Sequence, residues 1–178
     1  AAGFGTIGLF AHNCIEKSMR MVRLQVDAIT RICYACLPGM LERNYGDIIN
    51  IASTIAYMTQ RYNVIYAATK YYLTGFGAAL NRELHGKDVH VQTLFPGLTR
   101  TEFYDTEELA PARLSVKIPD KFWMKPEAVV KASLKSINYH KKFVVPGMRN
   151  KFFILAYQLS DYWHMWTRGS RKSVARYE

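Results

Sequence analysis

No apolar stretch in this chain reaches the ~18 residues that a bilayer-spanning helix needs, so no membrane span is read from it. Cysteine is scarce: three in 178 residues, an odd number that suits a reducing compartment better than a disulfide framework. A start methionine and a basic-then-apolar leader are both missing, so nothing reads as a secretory signal, and the expected setting is the cytoplasm. Internal repeats and low-complexity linkers are also missing, which leaves one domain, or a large part of one. Acidic residues are outnumbered, 14 against 24 Lys and Arg, for a net charge of +10.

That surplus is localised. Residues 1–97 carry nine Lys and Arg against six acids, a net of +3, whereas residues 139–178 carry eight against two, a net of +6. A nucleic-acid binder spreads its charge along one face, so no nucleic-acid partner is expected. The basic end also holds Tyr162, Trp163 and Trp166. A helix covering a pocket or packing on the core is the preferred reading there, and contact with a membrane surface the lesser one. Residues 167–178 read as a solvated basic tail. With 49% hydrophobic and 13% aromatic residues, the chain has the material for a substantial core. A disordered tail, a collagen-like rod and a disulfide-stapled miniprotein are excluded.

Periodicity supplies the elements. Met21, Leu24, Ala28, Ile32 and Ala35 recur at helical spacing over residues 18–43, with Gly46 as the break. Asp47–Ser53 is too short and too rich in β-branched residues for a buried helix and reads as a buried strand. A second helix spans 64–86 through Ala67, Ala68, Leu73, Phe76, Leu80 and Leu84, with Gly86 as its cap. Val89–Phe95 is a second strand, stopped by Pro96-Gly97. Beyond an irregular stretch with a short acidic helix near 102–110, Pro126 opens a helix to about Asn138. Phe143–Val145 is a third strand, and an amphipathic helix covers 150–166. Alternating strands and helices imply an α/β fold with a parallel sheet covered on both faces. Ligands of such sheets sit beyond the carboxyl ends of the strands, where Ser53 and Pro96-Gly97 fall.

Two motifs invite chemistry they do not support. Gly3-Phe4-Gly5-Thr6-Ile7-Gly8 spells a dinucleotide fingerprint, but only two residues precede it, and Asp27 falls inside a helix rather than at a strand end. Cys33-Tyr34-Ala35-Cys36 has no second cluster to complete a zinc site and lies well inside a helix, so both cysteines read as buried helical residues. The five histidines have no metal-ligand spacing, and no metal is expected.

The informative motif is Tyr66-Ala67-Ala68-Thr69-Lys70, thirteen residues beyond Ser53. One helical turn puts Tyr66 and Lys70 on a common face, where an ammonium favours the phenolate and lets a tyrosine exchange protons nearer neutral pH. With twelve Tyr and twelve Lys, roughly one such spacing arises by chance, so the pair alone is weak. The ordered set is not weak: Ala1-Ala2-Gly3, Ile49-Asn50-Ile51-Ala52-Ser53, the Tyr66/Lys70 helix and Pro96-Gly97-Leu98-Thr99-Arg100-Thr101. Together they resemble the short-chain dehydrogenase/reductase family over almost the whole chain.

The resemblance implies a Rossmann-like doubly wound parallel sheet, of which residues 1–178 are the C-terminal part. The family's first three strands and phosphate-binding glycine turn would lie before residue 1. It implies a nicotinamide cofactor, NAD or NADP, and a small-molecule alcohol or carbonyl substrate. Tyr66 would be the acid/base. Lys70 would hold the nicotinamide ribose and tune Tyr66, and Ser53 would orient the substrate. Ala2, Gly3, Pro96, Gly97, Thr99 and Thr101 would line the cofactor site. Gln25 stands where the family has a proton-relay asparagine, and Ala1 where it has the asparagine of its Asn-Ala-Gly turn. The helices at 18–43 and 64–86 resemble the pair through which members form dimers, so the complete protein is expected to be a homodimer or homotetramer. The alternative is a non-catalytic remnant or interaction module with this fold.

Overall fold

A computed structural model describes residues 3–58, 61–105, 109 and 118–168. Ala1 and Ala2, part of the expected acidic helix, and residues 169–178 of the expected tail lie outside the described residues, as do the side chains of Tyr162, Trp163 and Trp166.

Three parallel strands, β1 (Gly46–Ile51), β2 (Val89–Leu94) and β3 (Phe143–Val144), pair in the order β1-β2-β3. Helices α1 (Ile15–Val22) and α2 (Ala28–Glu42) precede β1, and α3 (Val64–Glu83) joins β1 to β2. Helix α4 (Pro126–Ile137) lies between β2 and β3, and α5 (Met148–Arg168) follows β3, so the first two residues of the expected tail are helical. The acidic segment begins as a short 3₁₀ turn, Glu102–Asp105.

β2 is central and reads as a nearly unbroken buried run because helices cover both its faces. Val89 and Val91 pack with Leu80 of α3 and with Leu84 at its C-cap, flanked by Leu37, Met40, Ile48 and Phe76. On the opposite face, Leu94 packs with Val129 of α4 and Val144, flanked by Ile49, Ile51 and Met124. Gln92 faces α4 fully buried, its amide oxygen taking the Ser133 hydroxyl proton and its amide nitrogen donating to the Ser133 carbonyl. Asn81 ties α3 to β2 by bonding both the amide and the carbonyl of Val91. These partnered amides hold two helix–strand registers inside the core.

The expected single helix over 18–43 is interrupted. Residues Arg23–Asp27 form a π-turn, which inserts one residue and rotates everything beyond it by about 100°. Met21 is buried as expected, but past the π-turn the core face is Ile29, Cys33, Leu37 and Met40 instead of Ala28, Ile32 and Ala35. Ile32 is 62% exposed, and Cys36 is exposed where burial was expected. In α3, Ala68 points outward while Thr69, Lys70 and Asn81 occupy the buried face. The chain reverses after α2 at Asn44, in the left-handed conformation, rather than at Gly46.

Gly77 of α3 lies against β2, and a Cβ there would overlap the Thr93 hydroxyl. Thr93 is itself fully buried with its hydroxyl on the Leu73 carbonyl, so it has no free direction in which to move. Gly77→Ala should therefore destabilise the fold by about 1–3 kcal/mol, despite the better helix propensity of alanine. A urea melt with an unchanged or raised midpoint would show that α3 can lift off β2 at no cost.

Candidate active site

The carboxyl ends of the three strands open into one cavity of about 920 Å³. Ser53 follows β1 in extended conformation, and its Oγ accepts from the Ile55 amide (3.3 Å), capping a 3₁₀ turn over Thr54–Ala56 as serine at an N-cap does. The Thr54 amide donates to the Pro96 carbonyl (3.0 Å), which locks the Ser53 turn to the end of β2. Gly97 follows, and a Cβ there would collide with the side chain of Asn150. Glycine is what lets α5 close over the strand end. Asn150 donates to the Pro146 carbonyl (2.7 Å), fixing the start of α5 to the turn after β3.

Tyr66 stands in the first turn of α3, and its phenol is hydrogen-bonded to Ser53. Burial pushes its pKa well above the ordinary tyrosine value; the Ser53 bond pulls the other way, and repulsion from Tyr104 adds to the rise. The direction is opposite to that expected from an adjacent ammonium. Burial of the phenol decides the direction; Lys70 Nζ is 5.6 Å from the centre of the Tyr66 ring and donates to the Ile51 carbonyl (3.0 Å). Lys70 is 7% exposed, and burial lowers its pKa to about 8. The site thus holds a neutral phenol at its wall and, behind it, a buried amine that is mostly charged at neutral pH.

Gln25 occupies the middle of the π-turn and is fully buried. Its amide donates to the Phe4 carbonyl (2.6 Å), and its amide oxygen accepts from Thr69 Oγ1 (3.3 Å), one residue before Lys70. It does not line the cavity. It braces the 3–8 loop against the turn of α3 that carries Tyr66 and Lys70, and the π-turn is what aims it there. Gly3 lies beside it, where a Cβ would touch the Gln25 amide. The glycine-rich 3–8 loop runs on into a 3₁₀ turn at Phe10–His12, with α1 starting only at Ile15. A dinucleotide fingerprint would open a helix at its third glycine, so that reading fails here. Asp27 is paired with Arg31 on the helix surface (2.8 Å).

Among the candidates read from sequence, Ser53, Tyr66 and Gly97 line the cavity directly. Thr99 is buried and does not line the cavity: its hydroxyl donates to the Gly97 carbonyl (2.9 Å), and its backbone bridges to Met124. Thr101 is exposed and does not line the cavity, and Pro96 acts through its carbonyl on Thr54. Most of the wall comes from residues that no spacing singled out. Phe103 packs on Tyr66 (5.6 Å between ring centres), Tyr104 packs edge-on against Trp123 (4.9 Å), and Met124, Met148 and Phe153 complete an apolar lining. A phenol, a hydroxyl and a buried amine at the edge of an apolar space can hold a carbonyl or hydroxyl oxygen and exchange a proton with it.

The family model described as short chain dehydrogenase matches residues 1–111. Carbonyl reductase family member 4 of Xenopus laevis is 28% identical over 134 residues, covering 75% of this chain and 56% of that protein. The NADP-dependent 3-hydroxy acid dehydrogenase YdfG of Shigella flexneri is 46% identical over 90 residues, 50% of this chain and 36% of that protein. Very-long-chain 3-oxoacyl-CoA reductase of Bos taurus is 33% identical over 132 residues, 73% and 38% respectively. The chain therefore spans from about a third to somewhat over half the length of these curated relatives. Among solved structures, a short-chain dehydrogenase from Sphingobium yanoikuyae in complex with NADPH superposes with a TM-score of 0.72 at 23% identity, over 99% of this chain and 66% of that one. A Burkholderia phymatum family member in complex with NAD gives 0.79 at 17% identity, over 99% and 68%. Those two likenesses establish the fold.

Proposed function

Because the chain belongs to the short-chain dehydrogenase family, we propose that it carries the catalytic side of an NAD(P)-dependent oxidoreductase that interconverts an alcohol and a ketone or aldehyde. One observation carries the reading: the Tyr66 phenol, bonded to Ser53, stands at the wall of a largely apolar cavity with the Lys70 ammonium behind it.

The residues present fit the nicotinamide end of such a cofactor. The cavity of about 920 Å³ has room for a nicotinamide and a substrate together, Gly97 offers bare backbone on its wall, and Lys70 Nζ spends one of its three protons on Ile51. A nicotinamide held there would supply the hydride donor or acceptor for the carbon that bears the oxygen. Ser53 and Tyr66 hold the oxygen of that carbon. In reduction, Tyr66 Oη gives its proton to this oxygen as negative charge develops there. Lys70 stabilises the resulting tyrosinate until solvent restores its proton. The raised pKa of Tyr66 suits this direction, since the phenol enters each cycle protonated. Gln25 and Thr69 act as positioning residues for the α3 turn, and Thr99 as a positioning residue for Gly97. Subunit association would use the outer faces of α2 and α3, where Ile32, Tyr34 and Tyr71 are exposed.

The test is oxidation of NADPH or NADH by the intact protein with a panel of alkyl and aryl ketones. Ser53→Ala should lower turnover by about 10–100-fold, the worth of one hydrogen bond to a charge-bearing oxygen. Absence of turnover with every ketone, aldehyde and alcohol offered would favour the non-catalytic reading instead.

A further inference from the structure

Among the described residues, the charged groups on the cavity wall are of one sign. Lys121 and Arg149 both line it, and among the described lining residues there is no aspartate or glutamate. Neither cation has a carboxylate partner among the described residues. Arg149 is pinned by donation to the Lys121 carbonyl, Lys121 lies over the Phe122 ring (5.3 Å), and the carboxylate of the same turn, Asp120, is taken by Arg100 (2.8 Å). The Arg149 guanidinium is thus anchored to the backbone of the turn that carries Lys121, and both residues are exposed. A second hollow, lined by Phe122, Met148, Arg149, Phe152 and Phe153, shares four of its five residues with the main cavity, so the apolar surface continues past Arg149 to the outside.

Topology fixes how far this cationic border is from the chemistry. Ser53 sits beyond the end of β1, Gly97 beyond β2 and Arg149 beyond β3, in a sheet ordered β1-β2-β3. Adjacent strands are about 4.8 Å apart, so the strand ends that lead to Ser53 and to Arg149 are about 10 Å apart, which sets the scale of a spacer between them. The same wall carries Phe103, which packs on Tyr66, and Trp123 and Met124. An apolar spacer would lie against that wall at no desolvation cost, whereas a polar one would lose its water unpaid.

We infer that the substrate is an amphipathic anion: a ketone or alcohol joined through an apolar spacer of about 10 Å to a carboxylate or similar anionic group, which Lys121 and Arg149 hold. This deepens the oxidoreductase reading and rests on it for the identity of the reacting group. The anion subsite itself is a statement about binding and is testable without turnover.

The probes are 9-oxodecanoate and 2-decanone, which share a methyl ketone and chain length and differ in the terminal carboxylate. Each is titrated calorimetrically into the intact protein with NADP+ and NAD+ present, so that the ketone cannot be reduced. The expected result is binding of 9-oxodecanoate at least tenfold tighter, a preference that shrinks as salt is raised. The double substitution Lys121→Gln/Arg149→Gln should bring the pair to within about threefold of parity, while Arg149→Lys keeps most of the preference. Equal affinities in the unsubstituted protein, no binding of either ketone, or a preference that survives the double substitution would each overturn the inference. Turnover separates it from the reading it rests on. If 9-oxodecanoate is preferred in binding but neither ketone is reduced by NADPH or NADH, the anion subsite stands and the catalytic reading falls. If both are reduced and bound alike, the catalytic reading stands and the subsite falls.

Discussion

Tyr66→Phe is expected to lower turnover by about 10²–10⁴, the usual worth of a positioned proton donor, while leaving the fold in place. The substitution removes one oxygen and keeps the ring, so the packing against Phe103 at 5.6 Å survives. The hydrogen bond to Ser53 is lost, but Ser53 keeps its bond from the Ile55 amide and its cap on the following turn. Stability should therefore change by no more than about 1 kcal/mol. No neighbour can take over the proton. Tyr104 shares the cavity wall, but it packs edge-on against Trp123 rather than bonding Ser53. Cofactor affinity should be nearly unchanged, which separates a chemical defect from a binding one. A variant with near-normal kcat would show that Tyr66 is a wall residue and that the proton comes from elsewhere.

That site was legible in outline because its chemistry is local in sequence. Ser53 is two residues past a strand that hydrophobicity alone delimits, and Tyr66 and Lys70 are one helical turn apart, so pattern and spacing reach them both. The three strands and the helix at 64–83 were legible for the same reason: their apolar periodicity agrees with their packing. The helices at 126–137 and 148–168 were legible as elements, but α5 buries Ile154 and leaves Phe152, Leu155 and Leu159 exposed. What escaped is whatever depends on tertiary context. The π-turn at Arg23–Asp27 carries no compositional mark, yet it decides that Cys33 is buried and Ile32 exposed, and it turns Gln25 toward Phe4 and Thr69. Thr101 followed the motif into the candidate list, but lies exposed one residue past the Arg100–Met124 backbone bond. Phe103, Trp123 and Arg149 reach one cavity from three segments that only the folded sheet brings together. The direction of the Tyr66 shift also belongs to this class, because it is set by how deeply the folded wall buries the phenol.

Lys70→Met should abolish most of the activity and yet make the protein more stable at neutral pH. The amine is 7% exposed and, among the described residues, donates to the Ile51 carbonyl at 3.0 Å. Burial lowers its pKa from 10.5 to about 8, a penalty of about 3 kcal/mol on the charged form. A hydrogen bond from a charged donor returns about 1.5–3 kcal/mol of that, so methionine, of similar length and without a charge to desolvate, should gain up to about 2 kcal/mol. The sign of the pH dependence follows. Below pH 8 lysine is charged in both folded and unfolded chains, and the penalty is paid in full. Between 8 and 10.5 the folded protein sheds the proton while the unfolded chain keeps it, and the penalty fades; above 10.5 it is gone. The raised pKa values of Tyr66 and Tyr104 act on both proteins alike and cancel in the difference. The melting temperature of Lys70→Met should thus exceed that of the parent at pH 7, with the gap closing by about pH 10. Ketone reduction by the parent should decline as pH rises through about 8, because the ammonium that stabilises the tyrosinate is lost there. The methionine variant, slower by about 10²–10³, should show no such decline. A destabilisation of equal size at pH 7 and pH 10 would make Lys70 a structural strut, and the stability kept in reserve for its charge would have no functional explanation.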